Sequence, residues 1–258
     1  MSEQPGNAWW QDYFSRHYAT LYRGPLAEEL ATEDEVALLA RLFAGAAGPV
    51  LDLGCGFGRH MAPLRQQRVP VVGLDYSAPL LNAMPRVARR HAVRGDLRSL
   101  PFDEASCAGA YMLFNTFGYF DDVENQRVLK QVARVLSPGA RFLLDIPARS
   151  GMVHAAREQP ACVKAQGRYT IAESWAFDAA SKRLAASGSW QIGNEAQSWR
   201  MSIRLYTPTE ITRLLKGAGF SQIEIRPSEQ LAELATGAPE LSASSWRSVT
   251  NMAVLAQR

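Results

Sequence analysis

Val50-Leu51-Asp52-Leu53-Gly54-Cys55-Gly56-Phe57-Gly58-Arg59-His60 is the stretch that decides the fold. Val50, Leu51 and Leu53 are apolar, as suits a central parallel strand covered on both faces. Glycines follow at 54, 56 and 58. Without a Cβ they reach positive φ and let backbone approach a ligand closely. The spacing predicts a strand, a tight turn and a helix start, whose free N–H groups can receive an anionic group. Dinucleotide folds space these glycines G-x-G-x-x-G. Here Arg59 stands where that pattern has its last glycine, and Asp52 lies inside the strand two residues before the first. On this stretch alone an ordinary strand-to-helix turn remains open.

Downstream, strand and helix patterns alternate. A helix over His60–Gln67 leads to a strand over Val69–Leu74 that ends at Asp75, where an acid can accept both ribose hydroxyls of an adenosine. Ser77-Ala78-Pro79 starts the next helix. His91–Leu97 reads as a third strand ending at Asp96, although Gly95-Asp96 is also turn chemistry. Cys107–Asn115 is a fourth strand, Asp122–Leu136 an amphipathic helix ended by Ser137-Pro138-Gly139, and Ala140–Ile146 a fifth strand closed by Pro147. Residues 148–207 break the rhythm with three antiparallel candidates, Cys162–Phe177, Arg183–Ile192 and Ser198–Tyr206. Trp175, Trp190 and Trp199 could share one face there, as packing or as substrate contacts. Thr209–Ala218 with Gly219 resumes the helices. Strands over Ser221–Arg226 and, after a loop rich in Ala, Glu and Ser, Val249–Ala256 close the chain, the last antiparallel to its neighbours. The expected fold is α/β: a doubly wound, Rossmann-like, seven-stranded and mostly parallel sheet with an inserted antiparallel β-sheet cap.

Upstream, residues 1–8 read as frayed. Trp10, Tyr13, Phe14, His17, Tyr18 and Leu21 then recur at helical spacing, until Gly24-Pro25 stops the helix. This aromatic face is either a core helix or a cover over a small-molecule site. Thr32 reads as the N-cap of a helix running to Phe43, with Glu35 completing a capping box.

At 258 residues, one domain is the default, with residues 1–45 as an N-terminal helical lid and 148–207 as the β insertion. The 28 basic and 25 acidic residues give +3, too little to imply nucleic acid. No apolar run is long enough for a membrane span, and no signal-peptide pattern opens the chain. Three widely spaced cysteines and four histidines show no disulfide frame and no metal-ligand spacing. These features lead us to expect a cytoplasmic enzyme without a metal.

Taken together, VLDLGCGFGRH (50–60), VVGLDYS (71–77), RGDLRSLPF (94–102), FNTFGYF (114–120), VLSPGARFLLDIP (135–147) and RLYTPTEITRLLKGAGF (204–220) make the chain resemble class I S-adenosylmethionine (SAM) dependent methyltransferases. The likeness is to the small-molecule subgroup with an aromatic N-terminal lid and an antiparallel insertion after the fifth strand. The resemblance implies SAM as cofactor. It implies that Gly54, Gly56 and Gly58 pass beside its methionine part, that Asp52 supports that loop and reaches the amino group, and that Asn115 places backbone nearby. Asp75 would hold the ribose with Tyr76 against the adenine; Asp96 would accept from the adenine amino group, with Leu97 packed on the ring. Tyr18 and Tyr22 would face the sulfonium, and Arg23 could pair with the carboxylate. FNTF in place of an Asn-Pro-Pro-aromatic run argues against DNA bases and protein glutamine as acceptors.

A sulfonium methyl is already electrophilic, so the protein mainly aligns a nucleophile and excludes water. Oxygen and carbon nucleophiles usually also need a base, for which His17, Tyr18 and Tyr206 are the candidates. The expected reaction is methyl transfer to a small molecule, by a chain that could act as a homodimer. Two alternatives keep the cofactor: displacement or elimination on SAM itself, and non-catalytic SAM binding. An NAD oxidoreductase ranks behind both.

Overall fold

The computed structural model describes residues 8–23, 32–230 and 251–258. All of the expected frayed start but Ala8, the Gly24-Pro25 stop and the loop after residue 230 lie outside those residues.

At the centre is β1 (Val50–Leu53), buried along its whole length. It pairs in parallel with β2 (Val71–Asp75) and β4 (Cys107–Met112), and β2 in turn with β3 (Ala92–Arg94). On the other side β4 pairs in parallel with β5 (Leu136–Pro147), and β11 (Asn251–Gln257) runs antiparallel to both β5 and β10 (Ser221–Pro227). The order is β10-β11-β5-β4-β1-β2-β3, the seven-stranded, mostly parallel sheet expected. The chain reverses its direction of winding between β1 and β4, so a crevice opens at their carboxyl ends. One face carries α7 (Asp122–Val135) and α9 (Pro208–Ala218), which press Val128, Leu129, Val132, Ile211 and Leu215 onto it. The other carries α3 (Thr32–Leu42) and α4 (Met61–Gln66), through Leu38, Leu39, Leu42, Met61 and Leu64. Short α5 (Ala78–Ala83) and α6 (Arg86–Arg89) connect β2 to β3; Ser77 caps α5 by accepting from the Leu80 N–H.

The cap is a separate antiparallel sheet of four strands rather than three: β6 (Ala161–Gln166), β7 (Tyr169–Asp178), β8 (Arg183–Ile192) and β9 (Glu195–Arg204). The first candidate divides because Gly167, at φ 58°, turns the chain back on itself. A helix that the sequence reading missed, α8 (Arg149–Glu158), precedes the sheet; none of its residues is fully buried, and Met152, Val153 and Ala156 form a short, partly buried apolar face against the cap. The register puts Trp175 across from Ala186 and Trp199 across from Gly188, which lie four and two residues from Trp190 on β8 and so on its face. The three tryptophans therefore share a face, with Trp190 and Trp199 buried.

The N-terminal helix packs on that face. It runs as α1 (Trp9–Asp12), a π-helical turn (Tyr13–His17) and α2 (Tyr18–Tyr22). Trp9, Trp10, Tyr13 and Leu21 form one apolar cluster with Trp190, Trp199 and Ile203 of the cap.

Three other boundaries differ from expectation. β4 stops at Met112 because Phe114 and Asn115 are left-handed (φ 55° and 62°) and cannot continue a strand. β3 stops at Arg94, and Asp96 forms a turn by accepting from the Arg98 N–H. Ser137-Pro138-Gly139 does follow α7, but inside the bounds of β5, where the register with β4 shifts.

Candidate active site

The crevice holds a pocket lined by the glycine turn, the ends of β2 and β4, and the N-terminal helix. Gly54, Gly56 and Gly58 all have positive φ (81°, 54° and 75°), yet their missing side chains serve different ends. A Cβ on Gly54 would lie 2.2 Å from Thr116 Cγ2, and one on Gly58 within 2.9 Å of Met84. On Gly56 it would meet only Leu80 and Tyr18, at 3.9 and 4.0 Å. Of the three, only Gly56 leaves open space where a ligand can approach backbone.

Asp75 ends β2 beneath that space. Its Oδ2 accepts from the Gly56 N–H and its Oδ1 from the Ser77 N–H, each at 2.8 Å. Burial pushes its carboxyl up to about 6 against the pull of these donors. The Tyr76 backbone donates as well, and the carboxylate keeps acceptor capacity for a further donor.

Beside the turn lies a network that sequence reasoning missed. Glu35 is fully buried and pairs with Arg59, while His60 Nε2 lies 2.8 Å from the same Oε2. His60 Nδ1 stands 3.8 Å from Asp52 Oδ2. Burial alone would raise the Glu35 carboxyl, but His60 and Arg59 outweigh it and hold it at about 2. Glu35 is thus not the capping-box partner expected: its carboxylate serves Arg59 and His60, and Thr32 is itself helical and accepts from Arg59. The Arg59 guanidinium lies 5.7 Å from the Phe114 ring centroid.

Of the predicted site residues, Tyr18, Asp52, Gly54, Gly56, Asp75, Tyr76, Asp96 and Leu97 line the pocket. Asp96 does so with its carboxylate already gripped by the Arg98 side chain at 2.7–3.2 Å. The others do not reach the wall. Gly58 packs on Met84. Tyr22 stacks behind Tyr18 at 4.7 Å, and the Arg23 guanidinium lies 5.9 Å from the Phe57 centroid. Asn115 accepts from Asn251 at 2.9 Å. His17 is 1 % exposed and paired with Asp12, with burial lowering its pKa. Tyr206 sits in the core against Phe117 and Arg204.

The remaining wall is aromatic. Trp10 stands edge-on to Tyr76 at 4.6 Å and to Phe120 at 5.6 Å, and Phe14 lies 5.4 Å from Tyr119. Burial pushes the phenols of Tyr18 and Tyr119 well above their usual range. Sequence reasoning took FNTFGYF as a motif but drew only Asn115 from it; the run of aromatics there was the available signal for Tyr119 and Phe120.

Residues 50–139 match the family described as a methyltransferase domain. The curated relatives include the cypemycin N-terminal methyltransferase of a Streptomyces species, 38% identical over 100 residues, 37% of this chain and 40% of that protein. They also include an O-methyltransferase of Aspergillus sclerotiorum, 29% identical over 125 residues, 45% and 46% of the two chains. The matched stretch thus spans less than half of each. Likeness in structure extends further. The CcbJ methyltransferase of Streptomyces caelestis superposes with a TM-score of 0.75 at 20% identity, over 94% of this chain and 96% of that one. SAM-bound CalS10, an amino pentose methyltransferase of Micromonospora echinaspora, does so at 0.65 and 19%, over 93% and 96%.

Proposed function

We propose that this chain, whose fold is that of the SAM-dependent methyltransferases, transfers a methyl group from SAM to a nitrogen of a small amine. SAM supplies the electrophilic methyl. The residues fit it: Gly56 leaves a cradle beside the turn, and Asp75 has acceptor capacity for ribose hydroxyls. Tyr76 and Leu97 would flank the adenine and Asp52 would meet the amino group. Arg59 is the partly buried cation beside the turn, better placed for a carboxylate than Arg23, with Glu35 fixing its orientation. The N-terminal helix would be the lid, since Trp10, Phe14 and Tyr18 supply one wall.

The observation that carries the nitrogen reading is the lack of a base on the aromatic wall. Among the described residues there, the titratable groups are the phenols of Tyr18, Tyr76 and Tyr119, and burial pushes those of Tyr18 and Tyr119 well above their usual range. His60 has its nitrogens turned to Glu35 and Asp52. A neutral amine brings its own lone pair and needs alignment and exclusion of water; an alcohol or carbon acid needs a base. The cypemycin relative's N-terminal acceptor accords with this. We take the acceptor to be a free cytoplasmic metabolite rather than a nucleic acid, as the charge of +3 suggests. No described helix is long and apolar enough to cross a membrane.

The test is to incubate the protein with SAM and a panel of amines, phenols and carbon acids, and to identify products by mass spectrometry. The expected result is S-adenosylhomocysteine with a methylated amine. Methylation confined to phenols or carbon acids would overturn the nitrogen reading. Methylthioadenosine formed without an acceptor would overturn methyl transfer itself.

A further inference from the structure

Behind the pocket wall, away from the glycine turn, lies a buried polar cluster that the proposed reaction does not use. Asp145 of β5 is 2 % exposed, Ser228 1 % and Asn251 9 %. The Ser228 hydroxyl donates to Asp145 Oδ1 at 2.6 Å, and Asn251 Nδ2 lies 3.2 and 3.4 Å from the two carboxylate oxygens. The same amide donates to Asn115 Oδ1 at 2.9 Å. The β5–β11 register places Ala253 opposite Asp145, so Asn251, two residues along, shares its face. β4 runs parallel to β5 up to Met112 opposite Leu144, which brings the following turn level with Asp145. The Phe114 N–H accordingly donates to that carboxylate.

The turn so held is strained. Phe114 and Asn115 are consecutive non-glycine residues at φ 55° and 62°. Asparagine tolerates this region, but a bulky residue such as phenylalanine adopts it only when its surroundings impose it. The Phe114 ring lines the pocket, with Tyr22 edge-on at 5.2 Å and Arg59 stacked on it.

We propose that Asp145 is a positioning residue: its buried carboxylate, with Asn251 and Ser228, holds the left-handed Phe114–Asn115 turn and so sets the wall on which Arg59 rests. The link to SAM affinity rests on the reading of the pocket given above; the link to the turn does not. Desolvation raises the Asp145 carboxyl to about 6, so at neutral pH it is ionised and able to take three donors at once.

Asp145→Asn replaces one acceptor oxygen by an NH₂ that faces the Asn251 NH₂. Two readouts follow in the full chain. Amide hydrogen exchange, without ligand, should show Phe114 and Asn115 losing protection while the core of β1 and β4 keeps it. Calorimetry with SAM should show affinity falling about tenfold. The reciprocal exchange, Asp145→Asn with Asn251→Asp, restores one carboxylate and one amide to the pair, and Asn115 can turn its amide to donate. It should recover protection and bring affinity back to within about threefold of wild type. If Asp145→Asn fails to fold, Ser228→Ala and Asn251→Ala each remove one partner and should lower protection at Phe114 on their own. Unchanged exchange at Phe114 in the folded variants overturns the proposal, as does a double exchange no better than Asp145→Asn. Loss of protection in a protein that binds no SAM even as wild type would leave the positioning role standing and overturn the reading of the pocket. Altered exchange with unaltered SAM affinity would confine Asp145 to the turn and overturn its part in setting the site.

Discussion

Three glycines two residues apart look equivalent in the sequence and are not so in the fold. Gly56→Ala meets nothing closer than 3.9 Å, so it should cost only the strain of φ 54°, about 1 kcal/mol, while obstructing the cradle and weakening SAM binding. Gly58→Ala drives a Cβ to 2.8 Å from Met84 at a similar φ, and should destabilise by roughly 2–4 kcal/mol, part of it relieved by Met84→Ala. Urea denaturation and SAM calorimetry on the two variants read both quantities; equal stability losses would contradict the distinction. The glycines announced a turn because their spacing is local. What each missing Cβ makes room for is not local, since Thr116 and Met84 arrive from other elements. Glu35 misled for the same reason. Its spacing from Thr32 fits a capping box, but its partner Arg59 lies 24 residues along the chain. Glu35→Ala leaves the partly buried Arg59 without its counter-ion, which should cost about 3–5 kcal/mol in urea denaturation. Glu35→Ala with Arg59→Met should recover much of that loss.

The cap sheet and the N-terminal helix depend on each other. Trp199 lies over Gly188, where a Cβ would come within 2.3 Å of its ring, and its other side meets Tyr13 at 5.3 Å. Trp199→Ala should therefore cost about 3–5 kcal/mol and speed hydrogen exchange in residues 8–23 along with the cap. Exchange altered in the cap alone would show that the two elements are not one packing unit. The antiparallel strands could be read from alternation and turn residues, although the turn at Gly167 was hidden inside an apparently continuous strand. The helix over 9–22 was visible in its aromatic spacing. Its π turn was not, because one extra residue per turn shifts the periodicity less than the spread of the pattern itself. Helix α8 fully buries no residue, and its apolar face is only Met152, Val153 and Ala156, too short to stand out in the sequence.

Across the whole molecule, the doubly wound, mostly parallel sheet was legible in the alternating strand and helix patterns, whereas the strand order is visible only in the structure. The reversal of winding after β3 then located the pocket. The aromatic helix that supplies part of the wall was legible, but its meeting with Tyr76, Tyr119 and Phe120 and the Glu35–Arg59–His60 network were not, because they form only when elements far apart in sequence come together. The buried carboxylates give stability a pH profile of mixed sign. Glu35 is held at about 2, so its contribution is present above the ordinary carboxyl range and fades as pH falls through it. Asp75 is raised to about 6, so its effect runs the other way: the stability it contributes is full below about 4 and is lost as pH rises towards 6. Urea denaturation of wild type against Asp75→Asn should show the wild type losing relative stability across that window; a flat difference would contradict the assignment. The account turns on SAM occupying the pocket built around residues 50–60, and calorimetric titration of SAM into wild type and Asp75→Ala tests that most directly. We predict saturable binding at a single site in the wild type and its loss in a variant that remains folded. Absence of binding in the wild type, or equal affinity in both, would contradict it.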